Sequence, residues 1–187
     1  MEQIRLGRKV RVSDPCYGTE TWCAGILDNV REGLYNVEVE MSDEGTWGNR
    51  VKSLTVVHAG YNKFLIFNKT AAFEVGVDSG QAGIYDEDYY NQYHTEDGCD
   101  DDWYDEVCKL TLSSEQFGTK DGKCVVSSSG YGDGCYICEL VVDGGEVVAI
   151  RITFIEEEEY DEEDEEDNDW YLSEDEWEED EEESDEE

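Results

Sequence analysis

Through the first 155 residues, apolar and polar positions alternate in short runs separated by glycine and acidic residues. Nine such runs carry β-branched or aromatic residues at close spacing: KVRVSD, LYNVEVEM, RVKSLTVV, FLIF, AAFEVGV, VCKLTL, KCVVSS, CYICELVV and EVVAIRITFI. A period of two lines one face of a strand with apolar side chains, so these runs predict strands. VVDGGEVV sets Asp143, Gly144, Gly145 and Glu146 between two apolar runs, and Asp and Gly tolerate the positive φ of a tight hairpin turn. TKDGKC, with Asp121 and Gly122, predicts a second hairpin that pairs the segments near 107–117 and 123–129. One short helix is predicted at DEDYYNQYH, where Asp86 serves as N-cap and Glu87 and Asp88 favour the positive helix start. The segment 95–106, TEDGCDDDWYDE, reads as an acidic loop. The expectation is a mainly β fold, an antiparallel sandwich or partly open barrel with one short helix.

Charge divides the chain in two. Residues 156–187 hold 24 of the 51 acids and none of the 13 bases, which leaves 27 acids against 13 bases in residues 1–155. The first part is expected to form a β-rich globular domain. The second cannot bury enough apolar area to offset its ordering entropy and is expected to be a disordered acidic tail when free. No apolar run approaches the ~18 residues of a membrane span, and MEQIRLGRKV opens no export signal, so the expected location is the cytoplasm, that of the host if a phage encodes the protein. Seven cysteines without an export signal point to reduced thiols.

Four elements stand in an order of their own: SDPCY at 13–17, VDSGQAGIYD at 77–86, SSSGYGDGCY at 127–136 and EVVAIRITFI at 146–155. Their order resembles a family of uncharacterised bacterial and phage proteins, without the acidic tail. The resemblance implies a fold, and a phage or bacterial origin, more than an activity. Glycines in the second and third elements permit bends that a side chain would block. If the two elements meet, Asp78, Ser79, Gln81, Tyr131 and Asp133 would line a polar pocket for a small ligand. The alternative is that these polar groups satisfy the amides of turns.

No residue is assigned a catalytic role. His58 and His94 lie in no pattern of nucleophile, base and orienting group, and Asp78 with Asp133 is the best carboxylate pair available for acid–base work. Cys135 and Cys138 form half of a zinc site, and on a strand their side chains point to opposite faces. Asp100, Asp102 and Asp105 lack the glycine and terminal glutamate of a calcium loop. Neither a metal nor a cofactor is expected.

The tail suggests a counterfeit of nucleic acid. If helical, its carboxylates would stand roughly 2 Å apart along the axis, against about 1.7 Å per charge for duplex DNA. LSEDEW fits a capping box, with Ser173 as N-cap, Glu176 three residues on, and Leu172 and Trp177 as staple. Trp170, Tyr171, Leu172, Glu176 and Trp177 are the expected partner-binding residues, aromatic anchors amid acid. The expected function is a non-enzymatic acidic interaction protein that mimics nucleic acid. It would bind and inhibit or modulate a basic DNA- or RNA-binding host protein: an RNA polymerase, a nucleoid protein or a defence nuclease. Direct nucleic-acid binding is disfavoured by a formal net charge of −38. The alternative is a small-ligand-binding or hydrolytic β domain built on the two glycine-rich elements. A further possibility is that the tail folds back on the basic cluster Arg5, Arg8, Lys9 and Arg11.

Overall fold

A computed structural model describes residues 2–156, the side chains of 68–72 excepted. The expected partner-binding residues Trp170, Tyr171, Leu172, Glu176 and Trp177 lie outside the described residues. In chain order the strands are β1 (Gln3–Leu6), β2 (Val10–Ser13), β3 (Gly25–Leu27), β4 (Gly33–Asp43), β5 (Asn49–His58), β6 (Asn68–Val77) and β7 (Gln81–Asp86). Helix α1 (Glu87–Tyr93) follows, then β8 (His94–Thr95), β9 (Gly98–Cys99) and helix α2 (Asp101–Thr111). Strands β10 (Phe117–Lys120), β11 (Cys124–Ser128), β12 (Gly134–Asp143) and β13 (Glu146–Thr153) complete the fold.

Two antiparallel sheets face one another, neither closed into a barrel. The first runs β1-β4-β5-β13-β12-β6 and the second β10-β11-β7-β2-β3. Ile4, Tyr35, Leu54, Val56 and Ile150 of the first sheet pack with Val10, Val12, Ala82, Ile84 and Val125 of the second in one buried cluster. Alternation produces this arrangement: Val10 and Val12 face the cluster while Arg11 and Ser13 turn to the other side of the sheet.

Both expected turns form, but the second joins 117–120 to 124–128 rather than pairing 107–117 with 123–129, because 107–111 is helical. Gly144 and Gly145 take φ of 65° and 86° between β12 and β13, and Asp121 and Gly122 take 52° and 61° between β10 and β11. Helix α1 begins where expected, with Asp86 Oδ1 accepting the Tyr89 amide at 3.2 Å.

Two expectations are corrected. The segment 107–112, VCKLTL, is no strand: residues 107–111 end α2 and Leu112 is its C-cap, and the helix also takes up 101–106, the second half of the supposed acidic loop. Asp100 caps that helix by accepting the Trp103 amide at 2.9 Å, and Asp101 and Asp102 fill its first turn. Trp103, Val107 and Thr111 recur every four residues and bury one face. Burial of a side chain such as Val107 contributes roughly 1.5–3 kcal/mol relative to exposure. Together α1 and α2 cover the outer face of the second sheet, where Tyr85, Tyr89, Tyr90, Cys124 and Val126 join Trp103 and Val107. FLIF, 64–67, is likewise not a strand. Its segment crosses the outer face of the first sheet, laying Tyr61, Leu65 and Phe67 over Val57, Val141, Val148 and Ala149 and leaving Phe64 and Ile66 in solvent.

Candidate functional site

The stretch 77–86 turns out to be two things. Residues 78–80 make a corner, and QAGIYD is the buried central strand β7. The corner is built on a side chain from far upstream. Asp14, fully buried after β2, accepts the Cys16 amide at 2.8 Å and the Ser79 hydroxyl at 2.7 Å through Oδ1. Its Oδ2 accepts the amides of Asp78 at 2.9 Å and Ser79 at 2.7 Å. One carboxylate thereby joins SDPCY to DSGQAG, and the amides an anionic ligand would need are already engaged.

The third element arrives from the other side. Gly80, at φ 71°, carries a carbonyl that accepts the Ser129 amide at 3.0 Å, and a Cβ there would lie 3.7 Å from the Gly132 Cα. The turn at 129–132 is closed by the Gly132 amide on the Ser129 carbonyl at 3.0 Å. Tyr136 Oη clamps it, near the carbonyls of Ser129 at 2.9 Å and Gly132 at 2.7 Å.

The backbones of the glycine-rich elements thus meet, but their side chains part. Gln81 is buried beneath α2: its Oε1 accepts the Thr111 hydroxyl at 2.7 Å, and its Nε2 donates toward Tyr104 Oη at 3.3 Å. Tyr131 leans the opposite way, donating its hydroxyl to Glu44 at the β4–β5 tip. Ser79 is held by Asp14, while Asp78 and Asp133 stand exposed.

Thiols gather near this corner without nucleophilic character. Burial, then the neighbouring Asp14 carboxylate, pushes Cys16 up to about 12, and burial also raises Cys99. Cys124, at the far end of the helix-covered face, is likewise pushed by burial up to about 12. Such thiols remain protonated at neutral pH, and the thiolate is the reactive form. Cys135 is exposed and Cys138 buried on β12, on opposite faces as their spacing requires. Among the described residues, no group of three or more His, Cys, Asp or Glu is placed to hold a metal ion.

His94 is buried, stacked on Tyr90 with centroids 3.5 Å apart. Its Nδ1 faces the Tyr90 carbonyl at 2.8 Å and its Nε2 the Pro15 carbonyl at 3.0 Å, which pins α1 to the SDPCY loop. Beside it Arg11 and Glu87 form a buried two-bond pair at 2.9 and 3.0 Å, with the guanidinium over the Tyr90 ring. Arg11 therefore leaves the exposed basic cluster expected from the sequence. Lys9 and Arg8 are also engaged, by Glu87 at 3.9 Å and Glu146 at 3.4 Å.

Acid in excess of base collects on the outer side of the helical layer. Glu96, Asp97, Asp100, Asp101, Asp102, Asp105 and Glu106 are all exposed, and among the described residues only Glu106 of these has a basic partner, Lys120. The sequence from 70 to 108 contains no lysine or arginine. No family model, curated protein or solved structure matches the chain. No described helix is long and apolar enough to cross a membrane.

Proposed function

We propose that the protein is a non-enzymatic acidic interaction protein that occupies the nucleic-acid-binding surface of a basic partner. The supporting observation is the exposed face of α2. At about 1.5 Å of rise per residue, the carboxylates of Asp100, Asp101, Asp102 and Asp105, which among the described residues have no basic partner, present roughly one charge per 2 Å of axis. Duplex DNA presents one per about 1.7 Å. Here a capped, packed helix holds the charges in place, so their mutual repulsion is already offset by burial of Trp103 and Val107. Most of the bases of the folded unit are tied to its own acids, which leaves the surplus carboxylates to face outward. Residues 156–187, with 24 acids, add to the net negative charge of the chain.

Enzymatic and small-ligand readings have less support. The corner amides are engaged by Asp14, Gln81 is directed into α2, and the thiols with displaced values are displaced toward the unreactive form.

The test is displacement of a labelled duplex from purified basic proteins: an RNA polymerase, a nucleoid protein and a nuclease. The full chain is compared with its Asp101→Asn/Asp102→Asn/Asp105→Asn and Trp170→Ala/Trp177→Ala variants. Displacement that weakens with salt and with the α2 substitutions is the expected result. If no duplex is released at 50 mM salt, the reading is wrong.

A further inference from the structure

Two aromatic rings from distant parts of the chain stand together on the surface, in a place where neither serves the core. Trp47, at the β4–β5 tip, is 67% exposed and Tyr131, in the 129–132 turn, is 57% exposed. Their centroids are 6.4 Å apart and their planes meet at 82°, so the rings form two perpendicular walls. The Glu44 carboxylate sits beside them and accepts the Tyr131 hydroxyl.

Both walls are mounted on rigid turns. On the Trp47 side, Asp43 Oδ1 accepts the Gly45 amide at 3.1 Å, and Glu44 and Gly48 close the tip through an amide-to-carbonyl bond of 3.1 Å. On the Tyr131 side, Gly130 takes φ 59°, and a Cβ there would press within 3.1 Å of Phe154 and 3.2 Å of Ile155. Glycine is favoured there by both the positive φ and the close packing, and the turn sets the direction in which Tyr131 leaves the sheet. Tyr136 then clamps the turn from below. The backbone beneath each ring is thus fixed, and the Tyr131 hydroxyl is bonded to Glu44, which lowers the ordering cost a ligand must meet.

We infer that Trp47, Tyr131 and Glu44 form a half-open aromatic cage for the cationic side chain of a lysine or arginine in a basic polypeptide. The chemistry follows from the parts. Ring faces attract a cation electrostatically, tryptophan most strongly, and a carboxylate at the rim supplies the counter-charge. Hydrogen bonds from Ser42 and Tyr131 keep the Glu44 carboxyl below its ordinary value, so it stays anionic. Asp43 and Asp133, both exposed, flank Glu44 and Tyr131 in sequence and deepen the negative field. Arg50 stands on the rim, its Nε donating to the Trp47 carbonyl at 3.0 Å, and acts as a weak internal competitor. The inference rests on the proposed basic partner and gives it a discrete anchoring point, separate from the carboxylates of α2. A field of carboxylates alone selects for charge. A cage also selects for a side chain that can enter it.

The experiment titrates the full-length protein, labelled with 15N, with a short capped peptide containing lysine and arginine. The control peptide carries norleucine and citrulline in their places. The Trp47 indole resonance, assigned by comparison with the Trp47→Phe variant, reports on the cage itself. Expected is a saturable shift with the basic peptide, absent with the control. Cation–π contacts of this kind correspond to a loss of about 2- to 30-fold in affinity at that resonance for Tyr131→Ala, and Glu44→Gln should also weaken binding, by removing the counter-charge. Arg50→Gln should tighten binding. A Trp47 resonance that stays still while other positions shift overturns the cage and leaves the mimic reading standing, since that reading is judged by duplex displacement. Equal shifts with the neutral peptide overturn it as well, because the contact would then be apolar rather than cationic.

Discussion

Asp14 and Glu87 face inward, whereas the acids of α2 face outward, and the two groups show that abundance of carboxylates carries little meaning until their partners are known. Asp14 accepts four hydrogen bonds from residues up to 65 positions away, and Glu87 clasps a buried guanidinium. These acids act as fasteners. Asp101 and Asp102 favour their own helix start, and among the described residues neither they nor Asp105 has a basic partner, so their value lies in what they leave unmatched. The same residue type is structural in one layer and available in the next, and burial is the difference.

Removing one fastener should produce the largest effect. Glu87→Ala strands the Arg11 guanidinium in a buried site and is expected to lower stability by about 3–5 kcal/mol in urea unfolding. The Arg11→Met/Glu87→Leu double variant should recover most of that loss, because no unpaired charge remains. A cost below about 1 kcal/mol for Glu87→Ala would break the contrast between the two groups of acids. Asp14→Ala comes next, at about 2–4 kcal/mol, since buried donors lose their acceptor. Hydrogen exchange at the Asp78 and Ser79 amides should speed up in that variant.

Acid sharpens the comparison through a base. Burial, reinforced by Arg11, lowers the His94 value below its ordinary 6.5, while Glu87 and the carbonyls of Pro15 and Tyr90 oppose the shift. The unfolded chain therefore binds this proton more readily than the folded one. The resulting contribution to stability is complete above about pH 6.5 and is lost as pH falls below that value. Urea midpoints measured from pH 7.5 to 5.5 should fall more steeply for the native chain than for His94→Gln. The smallest change belongs to the outward acids. Asp101→Asn/Asp102→Asn/Asp105→Asn should move stability by less than about 1 kcal/mol, as lost dipole interactions offset relieved repulsion.

Where local rules act alone, the chain was legible. Gly144 and Gly145 between apolar runs can do little but turn, and Asp86 before Glu87 and Asp88 can do little but start a helix. Helix α2 was hidden because acids crowd its exposed side, and because Val107, Leu110 and Leu112 imitate a strand once Trp103 is left out of the count. Strand β7 was hidden for another reason. Buried on both faces, it shows no alternation, and Gly83 makes room for the Tyr85 ring, whose hydroxyl would lie 2.4 Å from a Cβ there. At the candidate site, the turn character of DSGQAG was readable, but its acceptor lies 64 residues upstream and no local pattern points to it. The pairing of Trp47 with Tyr131 was equally unreadable, since it depends on a register between segments more than 80 residues apart.

The place of the β12–β13 hairpin in the first sheet bears on how the chain is made. These strands, the last to leave the ribosome of those in the folded unit, sit in the middle of the sheet between β5 and β6. Until they arrive, both neighbours have open hydrogen-bonding edges, and β5 bears Val51, Leu54 and Val56 beside its own. A nascent chain is thus most prone to wrong pairing just before this hairpin emerges. The tight glycine turn suits a hairpin that must form on its own within about 1–10 μs and then insert as one piece.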